Sequence, residues 1–146
     1  MKKITIVLTA IVMLFTTSAF ATNGDNVTAK VKAAFQTDFT GATKVSWEKT
    51  SDFYFASFLL NDVRVDAAYN EEGDLVGTSR RMSTSELPLA VSLELNKKYS
   101  NYFIEKGVLE ITYDGQTSYY VNVANESTSL KLKCSSTGEI SVEKKN

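Results

Sequence analysis

The chain has 146 residues and a formal net charge of −1, with one cysteine and no histidine. A near-neutral, mixed charge argues against nucleic-acid binding, which requires a basic stripe. The lack of histidine removes the commonest general base and the commonest metal ligand, so we expect no cofactor and no metal site. Since one cysteine cannot form an intramolecular disulfide bond, stability must come from packing.

The N-terminal segment has the pattern of a secretory signal peptide. A basic start precedes an apolar core from Ile4 to Phe15, and Ala19–Ala21 form a small-residue cleavage site. The apolar core is too short to span a membrane well. We therefore predict a signal peptide over residues 1–21 and a polar leader over residues 22–26. The mature protein should be periplasmic or secreted, without membrane insertion.

The rest of the sequence predicts two helices, each followed by short strands. The first helix is capped by Asp25 or Asn26 and runs to about Phe39. The second follows the capping-box pattern Ser83–Glu86 and runs to about Tyr99. Alternating apolar residues predict strands at Lys44–Lys49, Phe53–Leu60, Val63–Tyr69, Leu75–Ser79, Phe103–Tyr113, Ser118–Ala124, Leu130–Cys134 and Glu139–Val142.

The two halves of this pattern correspond residue by residue. The difference in residue number between matching strand positions stays constant, so that the turn at Gly73 corresponds to the turn at Gly138. Such a register across two hairpins indicates an internal repeat. We predict an α+β fold, a tandem repeat of a helix plus an antiparallel β-meander, with a first repeat over residues 27–82 and a second over residues 83–146. The two repeats are either fused into one sheet or packed as two small lobes.

The strand predicted at Phe53–Leu60 has apolar residues on both faces, although a sheet covered on one side needs only one such row. The register of the second half assigns Tyr54 and Phe58 to the face under the helix. The opposite row therefore contains Phe55 and Leu59.

Three explanations of this opposite row remain open. The two sheets, or a crossing terminus, could cover it; a partner protein could bind it; or a second copy could bind it in a homodimer. In the second case Phe55 and Leu59 are candidate apolar anchors, Arg64 is a candidate polar rim residue, and Tyr120 is the matching aromatic residue of the second half.

Three other motifs each have a structural and a functional interpretation. Trp47 is either a core residue or a binding platform. The segment Asn70–Asp74 is a hairpin turn with a positive φ at Gly73, since its acidic residues lack the spacing of a calcium loop. Cys134 is either a buried structural residue or a reactive thiol, and its place in an apolar row favours the first.

The motif VSWEK at Val45–Lys49, followed by Y-x-A-x-F at Tyr54–Phe58 and V-x-V-x-x-x-Y-N-E-E-G-D-L at Val63–Leu75, resembles the PepSY-like family of bacterial secreted proteins. These proteins are also described as β-lactamase-inhibitor-like. The resemblance covers the chain from about Val27 onwards. It implies an α+β fold of two helix-plus-sheet units, exported and without known chemistry. The β-lactamase inhibitor of this kind binds its enzyme through an aromatic-rich concave sheet.

These observations favour an exported, non-catalytic binding module that presents a sheet face to another protein, as an inhibitor or modulator of an envelope enzyme. The sequence does not identify the partner. The alternative is a self-associating structural envelope protein that forms a homodimer through the same face. A third hypothesis is an enzyme that uses a pair among Asp62, Asp66 and Asp74, whose ordinary solvated setting argues against it.

Overall fold

The computed structural model describes residues 26–146 of the chain. The predicted signal peptide and the predicted leader up to residue 25 lie outside the described residues. No helix in the described part is long and apolar enough to cross a membrane. The described elements are α1 (Ala29–Asp38), β1 (Thr43–Lys49), β2 (Tyr54–Leu60), β3 (Val63–Tyr69), β4 (Leu75–Ser83), α2 (Leu89–Lys98), β5 (Phe103–Tyr113), β6 (Gln116–Ala124), β7 (Ser129–Ser135) and β8 (Ile140–Lys145).

The strands of residues 26–146 form one eight-stranded sheet whose order follows the chain from β1 to β8. The predicted fold class, an α+β tandem repeat of a helix plus an antiparallel β-meander, is therefore wrong. The alternating apolar pattern identifies which residues of a strand share a face. It does not identify where a sheet ends, because every backbone N–H and C=O group can extend the pairing. The strand predicted to end at Ser79 continues to Ser83.

The chain divides into two compact units between Arg80 and Arg81, here the N-terminal and C-terminal units. In the N-terminal unit, α1 buries Val31 and Phe35. The ring of Phe35 lies 5.2 Å from Trp47 and 4.9 Å from Phe58, between centroids, in edge-to-face arrangements. Trp47 is thus confirmed as a core residue. The core of this unit consists of Val27, Val31, Phe35, Trp47, Tyr54, Ala56, Phe58, Ala67 and Tyr69.

Helix α1 begins after Thr28, and the predicted cap, Asp25 or Asn26, is wrong. The Thr28 hydroxyl accepts a hydrogen bond from the backbone N–H of Val31 at 3.3 Å. Since Asp, Asn and Thr all cap helices, capping chemistry alone could not choose among them. Near the other end of α1, the Tyr69 hydroxyl donates a hydrogen bond of 2.8 Å to Asp38.

In the C-terminal unit, the capping box of Ser83 and Glu86 caps a short 3-10 turn (Thr84–Glu86) and not α2. The cause is Pro88, because the residue before a proline avoids helical backbone angles. Leu87 is accordingly extended, with ψ at 145°. The core of this unit consists of Met82, Leu87, Val91, Leu95, Val108, Tyr119, Val121, Val123, Leu130, Leu132 and Cys134.

Two turns with a glycine lie against the helix of their own unit. Gly73 in the β3–β4 turn has φ of +82°, and Gly138 in the β7–β8 turn has φ of +95°. A Cβ at Gly73 would lie 3.3 Å from the Lys30 side chain, and a Cβ at Gly138 would lie 3.0 Å from the Ala90 carbonyl oxygen. The predicted hairpin turn at Asn70–Asp74 is confirmed by its backbone hydrogen bonds, and the positive φ at Gly73 favours glycine there.

Candidate functional site

The candidate site is the outer face of the N-terminal unit, which we define as the sheet face opposite α1. Since side chains alternate along a strand, the neighbours of the core residues Tyr54, Ala56 and Phe58 point to this face. The strand pairings extend the assignment across the unit. The outer face consists of Ser46, Glu48, Phe55, Ser57, Leu59, Arg64, Asp66, Ala68, Gly77 and Ser79.

Phe55 lies on the outer face but is buried, with 8% of its surface exposed. Its cross-strand neighbour on β3 is Ala68, which in turn pairs with Gly77 on β4. These small side chains leave room for a ring to lie against the sheet, and Phe53 adds a second ring 6.4 Å away. Phe55 is therefore part of the packing of this face and not an exposed anchor. A charged substitution at Phe55 would test folding together with binding.

Leu59 and Arg64 are the accessible members of the predicted site. They are direct cross-strand partners on β2 and β3. Leu59 is half-buried, whereas the Arg64 side chain is 58% exposed. The Arg64 Nε lies 3.9 Å from a carboxylate oxygen of Asp66, which is an ion pair of little energetic value at such exposure. The structure thus places an apolar side chain directly beside an exposed positive charge.

A row of polar side chains crosses the outer face beside this pair. Ser46, Ser57, Asp66 and Ser79 are successive cross-strand partners on β1 to β4. The Ser46 hydroxyl donates to the Ser57 carbonyl oxygen at 3.4 Å, and the Ser57 hydroxyl donates to Asp66. We call these four residues the polar row. The sequence places Ser57 and Asp66 on this face, but it contains no signal for their alignment with residues of two other strands.

Ser79 differs from the other members of the polar row. It is 2% exposed, and its hydroxyl has no hydrogen-bond partner among residues 26–146. A buried hydroxyl without a partner costs about 1–3 kcal/mol. Such a group in a folded protein calls for a specific explanation.

Tyr120 lies on the opposite sheet face from α2, in the C-terminal unit, because its neighbours Tyr119 and Val121 are core residues of that unit. It is 6% exposed. The Lys131 ammonium lies 5.3 Å from the centre of its ring. Burial, followed by the negative charge of Glu143, raises the pKa of Tyr120 to about 12. Like Phe55, Tyr120 is packed and not an exposed anchor.

A groove lies within the C-terminal unit, where β6 begins beside the β7–β8 turn. This groove has a volume of about 690 Å³ and carries many hydroxyl groups. None of the four predicted site residues lines it. Its lining consists of Gly115, Gln116, Thr117, Ser118, Tyr119, Lys133, Ser135, Ser136, Thr137, Glu139, Ile140, Ser141 and Glu143.

The three aspartates considered for catalysis do not form one site. Asp62 is in the β2–β3 turn and Asp74 is in the β3–β4 turn, at opposite ends of the seven-residue strand β3. A strand of that length separates its ends by roughly 20 Å. Within the described part of the chain, no group of three or more Cys, Asp or Glu side chains could hold a metal ion.

Cys134 is a structural residue, because it is fully buried in the core of the C-terminal unit. Burial raises the pKa of its thiol from 9.0 to about 11. A thiol that stays protonated and covered does not react readily. The structure confirms the interpretation of a buried cysteine.

We expect Cys134 to remain unlabelled by a maleimide in the folded protein and to be labelled on unfolding. Because burial raises the pKa of the Cys134 thiol from 9.0 to about 11, the unfolded chain loses the thiol proton at a lower pH than the folded protein does. The free energy of unfolding should therefore decline as the pH rises from about 9 to about 11. Urea unfolding at stepwise higher pH measures this decline. The Cys134→Ala variant should decline less, and an equal decline in both proteins would contradict the assignment.

No family model matches the chain, and no curated protein matches its sequence. Solved structures do resemble it. A BLIP-like protein from Bacteroides fragilis has a TM-score of 0.70 at 20% identity, over 81% of this chain and 85% of that chain. A DUF2874 family protein from Bacteroides uniformis has a TM-score of 0.68 at 23% identity, over 82% of this chain and 88% of that chain.

A third structure, from Bacteroides eggerthii, is described provisionally as periplasmic. It has a TM-score of 0.68 at 16% identity, over 88% of this chain and 89% of that chain. At these identities the likeness concerns the fold, and none of the three structures carries the PepSY label that the sequence motifs predict. The chain therefore has a β-lactamase-inhibitor-like fold, which confirms that part of the resemblance.

Proposed function

We propose that this protein is an exported, non-catalytic binding protein of the PepSY-like kind, which presents the outer face of its N-terminal unit to another protein. Three observations support the proposal: the secretory pattern of the N-terminal sequence, the fold shared with a BLIP-like protein, and the fold shared with a protein provisionally described as periplasmic. The fold likeness makes an envelope enzyme the first partner to test, with the protein as its inhibitor or modulator.

The observation that carries the proposal is the pairing of Leu59 with Arg64 on the outer face. Binding energy in protein interfaces concentrates in a few apolar or arginine side chains that lose their water on association. Leu59 is half-buried and Arg64 is mostly exposed, so both keep surface that a partner can cover. Phe55 and, in the C-terminal unit, Tyr120 act as packed supports of their faces.

We expect Leu59→Asp to weaken partner binding by about 2 kcal/mol or more, because it places a charge in the covered part of the interface. The matched control is Val63→Asp, since Val63 lies next to Arg64 on β3, is 40% exposed, and points to the opposite face. The purified exported protein and both variants serve as baits for envelope extract, and the thermal unfolding of each is recorded.

Retention of a partner by wild type and Val63→Asp, with loss by an equally stable Leu59→Asp, is the expected result. Equal retention by all three baits would refute binding through the outer face. A measurement of molecular mass across protein concentration tests the alternative homodimer. If the molecular mass of the wild type doubles as its concentration rises, and that of Leu59→Asp does not, the outer face binds a second copy of the chain and not a different protein.

A further inference from the structure

The groove of the C-terminal unit has a polar floor. Side chains alternate along a strand, so the neighbours of the core residues of β6 and β7 point to the sheet face opposite α2. Two adjacent cross-strand pairs on this face line the groove, namely Ser118 with Ser135 and Lys133 with Ser141. The floor therefore presents three hydroxyl groups and one ammonium group. Residues of the β5–β6 turn and of the β7–β8 turn complete the lining.

Several polar side chains of the groove are both accessible and unpaired. The side chains of Gln116, Lys133, Glu139 and Glu143 make no hydrogen bond and no ion pair within residues 26–146. Gln116, Glu139 and Glu143 are exposed, and Lys133 is half-buried. Such groups bond to water, which a polar ligand can replace without breaking any contact inside the protein.

The groove combines hydrogen-bond donors with acceptors. The Lys133 ammonium only donates, and the carboxylates of Glu139 and Glu143 only accept. The serine and threonine hydroxyls and the Gln116 amide do both. A sugar hydroxyl is itself a donor and an acceptor, so it can bond to each of these groups.

The charges in and beside the groove cancel, which argues against a charged ligand. Three of these side chains line the groove, and three neighbour them along the chain. The positive ones are Lys131, Lys133 and Lys144, and the negative ones are Asp114, Glu139 and Glu143.

Size and apolar surface also fit a small polar ligand. The volume of about 690 Å³ lies within the range of roughly 300–1,000 Å³ that is typical of small-molecule sites. Besides Gly115, the apolar lining consists of Tyr119 and Ile140, which is too little for an apolar ligand. It suffices for the C–H groups on one side of a sugar ring.

We propose that this groove binds a short neutral oligosaccharide of hexose units. The Lys133 ammonium and the Gln116 amide donate to sugar oxygens, and the carboxylates of Glu139 and Glu143 accept from sugar hydroxyls. The groove shares no residue with the outer face of the N-terminal unit, so this inference goes beyond the proposed function.

The test is an NMR titration of the isotope-labelled exported protein with maltotriose, mannotriose and galactotriose. We expect saturable shifts of the backbone amides of Ser118, Lys133 and Ser141 with at least one of them. The dissociation constant should be on the order of 1 mM, because each hydrogen bond to the ligand replaces one to water. Absence of saturable shifts with all three, at about twentyfold that concentration, would overturn the proposal.

Two charged trisaccharides test the neutrality of the ligand. Neither the trimer of galacturonic acid nor the trimer of glucosamine should bind more tightly than the best neutral trisaccharide. At least tenfold tighter binding of the acidic trimer would overturn the proposal in favour of an anion bound by Lys133. The same result with the basic trimer would overturn it in favour of a cation bound by Glu139 and Glu143.

Lys133→Met and Lys131→Met form a matched pair of variants. Both lysines are half-buried on β7 and point to the same face, but only Lys133 lines the groove. The Lys131 ammonium lies over the ring of Tyr120 instead. We expect Lys133→Met to weaken the best trisaccharide at least fivefold and Lys131→Met to leave it unchanged, with thermal unfolding recorded for both.

An equal loss of binding in the two variants, or no loss in Lys133→Met, would overturn the assignment of the groove. Leu59→Asp should bind the trisaccharide as wild type does, because Leu59 lies in the N-terminal unit. Failure of either proposal is thus distinguishable from failure of the other.

Discussion

Replacing Phe58 with alanine is expected to lower the free energy of unfolding by about 3–5 kcal/mol, the usual cost of removing a buried ring. Phe58 is 2% exposed. Its ring centroid lies 4.9 Å from that of Phe35 and 4.7 Å from that of Phe39. The substitution therefore leaves a cavity between α1 and the sheet that neighbouring rings can fill only partly. Urea unfolding followed by circular dichroism measures the loss.

The next residue along the strand provides the control. Leu59 points to the outer face and is half-buried. We expect Leu59→Ala to cost about 1 kcal/mol, the typical value for a substitution outside the core. Equal losses for the two variants would contradict the assignment of consecutive side chains to a covered and an accessible face.

Gly138→Ala is expected to lower the free energy of unfolding by about 2–4 kcal/mol. The loss has two causes, because the new side chain strains the backbone and its Cβ overlaps atoms of Ala90. Gly138 has φ of +95°, where a side chain is unfavourable. A Cβ there would lie 3.0 Å from the Ala90 carbonyl oxygen and 3.2 Å from its carbonyl carbon. Since these atoms belong to the backbone of α2, they cannot move aside without shifting the helix.

Gly115→Ala separates the two contributions. Gly115 has φ of +71°, but a Cβ there would meet nothing within 4 Å. Its substitution should therefore cost only the backbone strain, about 1–2 kcal/mol. A loss as large as that of Gly138→Ala would show that the contact with α2 contributes nothing.

The sheet face on which each candidate residue lies was predictable from the sequence, but the exposure of its side chain was not. Alternation along β2 places Phe55 and Leu59 on one face, and the structure agrees. It could not reveal that Phe55 pairs with Ala68, which in turn pairs with Gly77, because those residues belong to β3 and β4. For the same reason the sequence offered no distinction between a packed Phe55 and an accessible Leu59. The polar row depends on the register of four strands and escaped prediction entirely.

By itself, the sequence determined properties that depend on local geometry. The strand Val63–Tyr69 was predicted with its observed bounds, and the positive φ at Gly73 followed from the turn. Side-chain alternation and the conformational freedom of glycine act within a few residues, whatever the chain does elsewhere. The β-lactamase-inhibitor-like fold was also accessible, through motifs in the same local stretches.

Only the tertiary structure decided how far the sheet extends, which outer-face residues are covered, and that the Ser79 hydroxyl is buried without a partner. Each of these depends on backbone pairing between strands distant in sequence. Such pairing uses backbone N–H and C=O groups, which every residue except proline carries, so the side-chain pattern leaves it open. The predicted fold class, a tandem repeat of a helix plus a β-meander, was wrong, because the described strands form one eight-stranded antiparallel sheet.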